Sequence, residues 1–556
     1  MSEDSQPKDT HLHSAASSGD IEGVKLDRHA PLHLACANGH LHIVDVLVNE
    51  YGADIEILDA NGCNSLEVSA RSSNIQILFF LVLTAIYGQR HSKKLRGSSS
   101  HVVCTLKQDT AIIEQILLKY YHDTQAKEQT GTVLLTAFSD VLTNAENNYS
   151  NFYPPFLAAT LGLTNVIDIF VHEYGCDINI KGFIGLTILH GACFGGHVQI
   201  VQKLIGEHGI DPHTTTNNND QSILHYAALG GSVDIVSSLI ANYGLNPCVL
   251  NKFYDSPLSV AALNGHTELV RALIEKYNCD PFATSHHGST LLHHACASGE
   301  IPLVNELVRK YQLDIATKDE AGFMPLHTAA CQGQTKVVVH LISILQANVN
   351  AVTDRNESAL SLATLHGHKD LVHKLISDYN CNPHVEGRSL LHYATQGGHI
   401  ELIDTLITGY NLNLRVRDDN GHTLLHVAAI YGQFGALQHL AQTETIDIDC
   451  LSNDGSTPLH LAALEGQNHI LRVLIEEFNS NPLAKGYVGL TILHYACQNG
   501  DNELVDEIIA KYGLDPMTET DYQNTPLHIA ARHGQVATVK YLITKYHVEV
   551  DCLNSQ

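Results

Sequence analysis

The chain has 556 residues, 44% apolar and 16% charged, the composition of an ordered, core-forming protein rather than a disordered one. Its 32 basic residues against 59 acidic ones leave a formal charge of −27, which argues against nucleic acid and anionic membrane as main partners, because both select basic surfaces. Thirteen cysteines without a CxxC pair fit neither a zinc framework nor a disulfide scaffold and favour a reducing, cytoplasmic setting.

The first residues are polar and acidic, without the charged-then-apolar pattern of a secretion signal. From there the chain repeats itself. With His460 as an anchor, equivalent positions fall at 13, 33, 67, 101, 135, 156, 190, 225, 259, 293, 327, 361, 392, 426, 460, 494 and 528. Twelve of the sixteen intervals are 34 residues, and twelve of the seventeen anchors are His. A fixed period of this length predicts a stack of like units, not one globular enzyme.

Residues 1–150 read as irregular, degenerate units with anchors at 13, 33, 67, 101 and 135. The 20-residue step from 13 to 33 is too short for a complete one. Ile75 to Tyr87 is the longest apolar run, 13 residues where a membrane-spanning helix needs about 20. The register places Leu78, Leu81 and Val82 on a buried helix, so a core helix is expected and no membrane insertion. The basic stretch from Arg90 to Arg96 then falls in a loop, either as a solvated tip or as a contact for an acidic partner or import receptor. Asn144 to Pro155 has loop chemistry, so a boundary is expected near 150, with a regular stack of about 12 units over 151–556. The 31-residue step from 361 to 392 removes a loop tip around Val385 to Ser389.

One regular unit shows the local logic. In Thr457-Pro458-Leu459-His460 the Thr hydroxyl can cap the first free amides of a helix, and Pro follows at the first helical position, where a missing N–H costs nothing. Small residues, Ala462 and Ala463, then allow close helix approach, and Gly466 ends the helix. A second helix carries Leu474-Ile475, and a polar stretch from Cys450 to Ser456 precedes the Thr. Each unit is therefore helix, turn, helix, extended loop.

This pattern, TPLH followed by an Ala pair, a Gly turn and a Leu-Ile helix, resembles the ankyrin repeat, and the resemblance covers nearly the whole chain. It implies an all-α solenoid of stacked helix-turn-helix units with β-hairpin fingers. It also implies a protein-interaction scaffold or adaptor, as in signal transduction, with no catalytic activity, cofactor, metal or small-molecule substrate. The alternative is the cytoplasmic region of a larger receptor, channel or enzyme. In such proteins the groove is lined by finger tips, here Phe183, Tyr254, His286, His287, Arg355, Arg417, Tyr487 and Tyr522. First-helix positions add Phe194, Tyr431, Arg532 and His533. Phe183 and Tyr487 occupy the same place in matching tips, where an aromatic either meets a partner or packs on the adjacent finger. The acidic balance favours a basic partner, chiefly through on-rate.

Rival constellations dissolve into the repeat. Of 37 His, twelve are anchors and five more (His40, His197, His266, His368, His399) sit seven after one. His286-His287 and His293-His294 form the densest remaining cluster, but His293 is an anchor and successive helix positions point in different directions, so the four do not converge on a zinc ion. Cys36, Cys193, Cys296 and Cys497 take the place of a buried Ala, while Cys176, Cys279 and Cys381 recur at one register position after the second helix, and cysteines in register even one unit apart rarely meet disulfide geometry. Tyr recurs 18 after nine anchors, which predicts packing. GxxxxGK[ST], HExxH, GxSxG and a kinase catalytic loop are absent from the sequence.

Overall fold

A computed structural model describes residues 30–38, 40, 43, 44, 47, 65, 69 and 153–555, apart from 173–175, 183–184, 218, 384–387 and 444–446. The anchors at 13, 67, 101 and 135, the run Ile75 to Tyr87, the basic stretch Arg90 to Arg96, the boundary near 150 and most of the tip around Val385 lie outside the described residues. Among the described residues there are 25 α-helices, two three-residue 3-10 turns and no β-strand. The fold is all-α.

The chain divides into two compact units, Met1–Thr328 and Ala329–Gln556. In the first, the helices Tyr153–Leu161, Ile188–Gly195, Ile223–Leu229, Pro257–Leu263 and Leu291–Ser298 pack side by side. Each is followed by a second helix: Thr164–His172, Val198–Gly206, Val233–Tyr243, Thr267–Glu275 and Ile301–Arg309. In the second unit, Ala359–Leu365, Leu390–Gln396, Leu424–Ile430, Pro458–Leu464, Ile492–Asn499 and Pro526–Arg532 form the same row. The alanines explain the close row. Ala227, Ala228, Ala261, Ala262, Ala428, Ala429, Ala462 and Ala463 are all 0% exposed, and a longer side chain there would hold neighbouring helices apart. The second helices bury one apolar stripe at 3–4 residue spacing, such as Ile470, Leu471 and Leu474.

Most first helices begin with a capping box whose third helical residue is the anchor. The Thr457 hydroxyl accepts the His460 N–H at 3.4 Å, and the Thr457 N–H donates back to His460 Nδ1 at 3.2 Å. Thr423 with His426, Thr491 with His494 and Ser389 with His392 do the same. Imidazole thus takes the place that Glu or Gln fills in the common form of this motif.

The loops after the helix pairs form short turns, with no strand among the described residues. The turns 251–255, 452–456 and 520–524 are each closed by two backbone hydrogen bonds: Asn251 N–H to Asp255 O and Tyr254 N–H to Asn251 O (both 3.0 Å), Ser452 N–H to Ser456 O (2.9 Å) and Gly455 N–H to Ser452 O (3.0 Å), Thr520 N–H to Asn524 O (3.0 Å) and Gln523 N–H to Thr520 O (2.9 Å). Isolated bridges join Thr215 to Ser222, Thr284 to Thr290 and Val352 to Ser358, and no ladder extends from them. The turns instead bond to one another: Lys252 N–H to Asn219 O, Asn453 N–H to Asn420 O and Asp521 N–H to Val488 O.

Candidate protein-interaction surface

Three ladders of hydrogen bonds fix the angle between successive helix pairs, and so fix where the tips stand. The first runs through the anchors. Because Nδ1 accepts from the capping Thr or Ser, the ring proton sits on Nε2, which donates to a carbonyl of the next loop: His426 to Ser456 O (3.0 Å), His460 to Ala484 O (3.0 Å), His494 to Asn524 O (3.2 Å). Burial, the largest cause, keeps these rings neutral. It lowers the pKa of His426 and His494 to about 4 and that of fully buried His190 to about 3. Where the anchor is Ser, at Ser259 and Ser361, the hydroxyl completes the cap at 2.9 and 2.8 Å but is too short for the second contact.

The second ladder starts at the residue before a second helix where that residue is His or Gln. His197, His266, His368 and His399 reach back through Nε2 to Thr160 O, Leu229 O, Cys331 O and Leu365 O at 2.9–3.0 Å. Gln433 and Gln535 make the same contact through their amides at 2.8 Å. The imidazole lies flat on a glycine in the preceding turn. A Cβ built on Gly367, whose φ is +74, would fall 2.5 Å from the His399 ring, so both backbone and packing require Gly there.

The third ladder joins second helices. Arg271 pairs with Glu306 at 2.7 Å, and Glu275 takes both Lys310 and the Tyr311 hydroxyl. The second unit repeats this in Arg472–Glu507 at 2.8 Å and in Glu476 with Lys511 and Tyr512. The Arg472 guanidinium holds the Glu507 carboxyl below its ordinary range. Five of the nine recurring tyrosines are thus hydrogen-bonding residues: besides Tyr311 and Tyr512, Tyr379 and Tyr410 meet Ser343 and His373 at 2.7 and 2.6 Å, and Tyr546 donates to Asp506 Oδ1 at 2.5 Å.

With that frame fixed, the tips can be placed. Tyr254 is 60% exposed, Tyr487 52% and Tyr522 49%. Tyr254 holds φ +57, a left-handed position that other turns give to Gly185, Gly322, Gly421, Gly455, Asn356 or Gln523. For a bulky residue this is an outlier. His287 (φ +63) is exposed, with Nδ1 3.6 Å from the Glu320 carboxylate. Arg355 is exposed. Arg417 is exposed too, yet its guanidinium donates to Gly421 O at 2.9 Å and Leu451 O at 2.5 Å, bridging two loops. Phe183 lies outside the described residues, and of His286 only the backbone is described.

The first-helix positions differ among themselves. Arg532 and His533 are exposed and Tyr431 is 42% exposed, but Phe194 is 3% exposed and faces the core. The carbonyl of Phe194 lies where a Cβ on Gly230 would fall, which shows how tightly the next unit closes over it. Several surface residues went unforeseen. Arg388 lies over the rings of Tyr393 (4.9 Å) and Tyr431 (5.9 Å), a cation–π cluster whose members come from different helix pairs. Leu250, Phe253, Phe282, Leu451 and Leu483 are 41–61% exposed beside the tips. The Asp/Asn-Pro pairs preceding Phe282 and Leu483 were the available signal: the Asx side chain turns the loop, capping the amide two residues on at 2.9 and 3.0 Å.

Among the described residues no group of three His, Cys, Asp or Glu could hold a metal ion, and no helix is long and apolar enough to cross a membrane.

A family model described as ankyrin repeats (3 copies) matches residues 3–93, 155–251, 224–319, 326–416, 391–486 and 468–554. Two curated relatives share short segments. An inactive serine/threonine-protein kinase, TEX14 of Bos taurus, is 40% identical over 68 residues, 12% of this chain and 4% of that protein. The palmitoyltransferase AKR1 of Lachancea kluyveri is 43% identical over 56 residues, 10% of this chain and 8% of that protein. The chain therefore spans less than a tenth of either relative's length.

Proposed function

Because the chain belongs to the ankyrin-repeat family, whose repeats are non-catalytic protein-interaction modules, we propose that it is a scaffold or adaptor that captures a basic protein partner at its finger tips, in a reducing, cytoplasmic compartment. The observation that carries this reading is Tyr254, 60% exposed on a left-handed backbone. Holding a non-glycine residue there costs on the order of 1–3 kcal/mol, and the turn keeps its aromatic ring exposed at that cost. Tyrosine offers a large, stiff contact area at low entropic cost, the usual property of an interface anchor. Carboxylates flank the tips, among them Asp220, Asp255, Asp418, Asp419 and Asp521. An aromatic face beside carboxylates suits lysine and arginine, and the net charge of −27 raises the encounter rate with such a partner.

The test exploits the strain. Tyr254→Gly removes the ring and supplies the residue that left-handed turns favour, so thermal stability stays level or rises by about 1 kcal/mol. Affinity capture from source cells, quantified by mass spectrometry at two salt concentrations, should return basic proteins. Their yield should fall with salt and fall at least fivefold in the variant. Equal yields from variant and wild type would remove Tyr254 from the contact surface, and a neutral or acidic set would remove the charge argument.

A further inference from the structure

Cys248 and Cys279 place their sulfur atoms 2.9 Å apart, about 0.9 Å beyond a covalent S–S bond of about 2.05 Å. Both are free thiols, Cys248 exposed and Cys279 buried. Each backbone is pinned where it stands. The Cys248 N–H donates to Asn246 Oδ1 at 3.0 Å, and the Cys279 N–H closes the end of its helix on Leu273 O at 3.0 Å. The rarity of disulfide geometry applies to cysteines at one register position, such as Cys176, Cys279 and Cys381. Cys248 belongs to a different position, 31 residues before Cys279. That step recurs in the second unit, where Ser480 Oγ donates to Asp449 Oδ1 at 2.6 Å across the same 31 residues. The fold therefore brings these two positions into side-chain contact wherever their residues can reach. Among the described residues, 248 and 279 are the pair at this step in which both are cysteine.

We propose that Cys248 and Cys279 form a reversible, redox-sensitive disulfide that staples two successive helix pairs, with a small-molecule disulfide such as oxidised glutathione as the oxidant. Exposed Cys248 is the attacking thiol. Its thiolate attacks one sulfur of the oxidant, a mixed S–S bond forms, the oxidant's S–S bond breaks, and one thiolate leaves and takes up a proton. Cys279 then attacks the Cys248 sulfur. The protein S–S bond forms, the mixed bond breaks, and the second small thiol departs with the proton that Cys279 gives up. Two protein thiols are oxidised by two electrons and one small disulfide is reduced to two thiols. Burial pushes the Cys279 thiol up, with the Cys248 sulfur adding to the effect, which fits Cys279 for the second, intramolecular step, where proximity replaces thiolate population. The staple ties the loop entering the Asn251–Asp255 turn, which carries Phe253 and Tyr254, to the end of the helix Thr267–Glu275.

The full-length native chain is incubated with oxidised glutathione, free thiols are alkylated, and a non-reducing digest is read by mass spectrometry. The expected product is a Cys248–Cys279 cross-linked peptide, about 2 Da lighter than the two thiols, that a dithiol reverses. The melting temperature should rise by several degrees on closing a loop of this length. Cys279→Ser should hold Cys248 as a lasting glutathione adduct, at least tenfold longer-lived than in wild type. This variant is expected to fold, because Ser480 fills the equivalent position in the second unit. Recovery of wild-type Cys248 as a stable adduct with Cys279 alkylated would overturn the proposal. So would both thiols remaining free at oxidant levels that cross-link the unfolded chain.

Discussion

The helix-capping ladder and the finger tips share one period but carry different residues. Along the ladder, Thr423, Thr457 and Thr491 face His426, His460 and His494, each buried and each bonded to the next loop. At the tips the corresponding turns read Asp419-Asn420-Gly421, Asn453-Asp454-Gly455 and Tyr487-Val488-Gly489. Where the anchor is His the ladder repeats because a single geometry satisfies buried donors and acceptors, and a member left unpaired costs the full desolvation of its partner. The tips vary because a turn needs only its closing backbone bonds and residues that tolerate positive φ. The remaining positions are left open to a partner.

Acid should break the ladder first. His426 and His494 sit at about 4 and His190 at about 3 in the fold, against about 6.5 in the unfolded chain. Below about pH 6.5 the unfolded chain binds protons that the fold refuses, so stability falls as pH drops and is highest above that value. Each of the three then loses about 2 kcal/mol by pH 5. Urea midpoints measured from pH 7.5 to 4.5 should decline steadily; a flat profile would mean these rings are charged or exposed.

A single anchor should cost less. His426→Ala loses the cap, the Nε2 contact and buried volume, about 3 kcal/mol together. His426→Ser restores the cap that Ser259 and Ser361 already make and should recover about 1 kcal/mol of that. If the two variants melt alike, the cap contributes nothing separable.

On the outer ridge, Arg472→Ala removes a pair whose side chains are 45% and 18% exposed. Screening limits the loss to about 0.5 kcal/mol, shrinking further in 0.5 M salt. A salt-independent loss would point to lost packing of the arginine stem instead. Tyr254→Gly completes the contrast at the tips, with no loss of stability expected.

The helix pairs were legible in the residues because they rest on local chemistry. Thr-Pro at a helix start, a small pair and a terminal Gly specify Pro458–Leu464 without reference to the rest of the chain. The tip aromatics were legible as departures from a polar turn, and Tyr254, Tyr487 and Tyr522 stand exposed. Phe194 was not legible. Two positions before a turn glycine, its exposure depends on how closely the following unit approaches, and the backbone around Gly230 leaves it 3%. The recurring tyrosines looked like packing residues because spacing places a side chain but does not say what its hydroxyl meets.

The sequence by itself determined the period, the two helices of each unit, their caps and the small residues that let them stack. All of these are settled within about 34 residues by hydrogen-bonding capacity and side-chain size. Tertiary structure decided which atoms meet between units. That an anchor's Nε2 reaches the next loop, that Arg388 spans Tyr393 and Tyr431, and that Cys248 meets Cys279 rather than a cysteine of its own register all depend on the rotation from one unit to the next. Every interface packs its own side chains and contributes a small share of that rotation, so no single repeat encodes it.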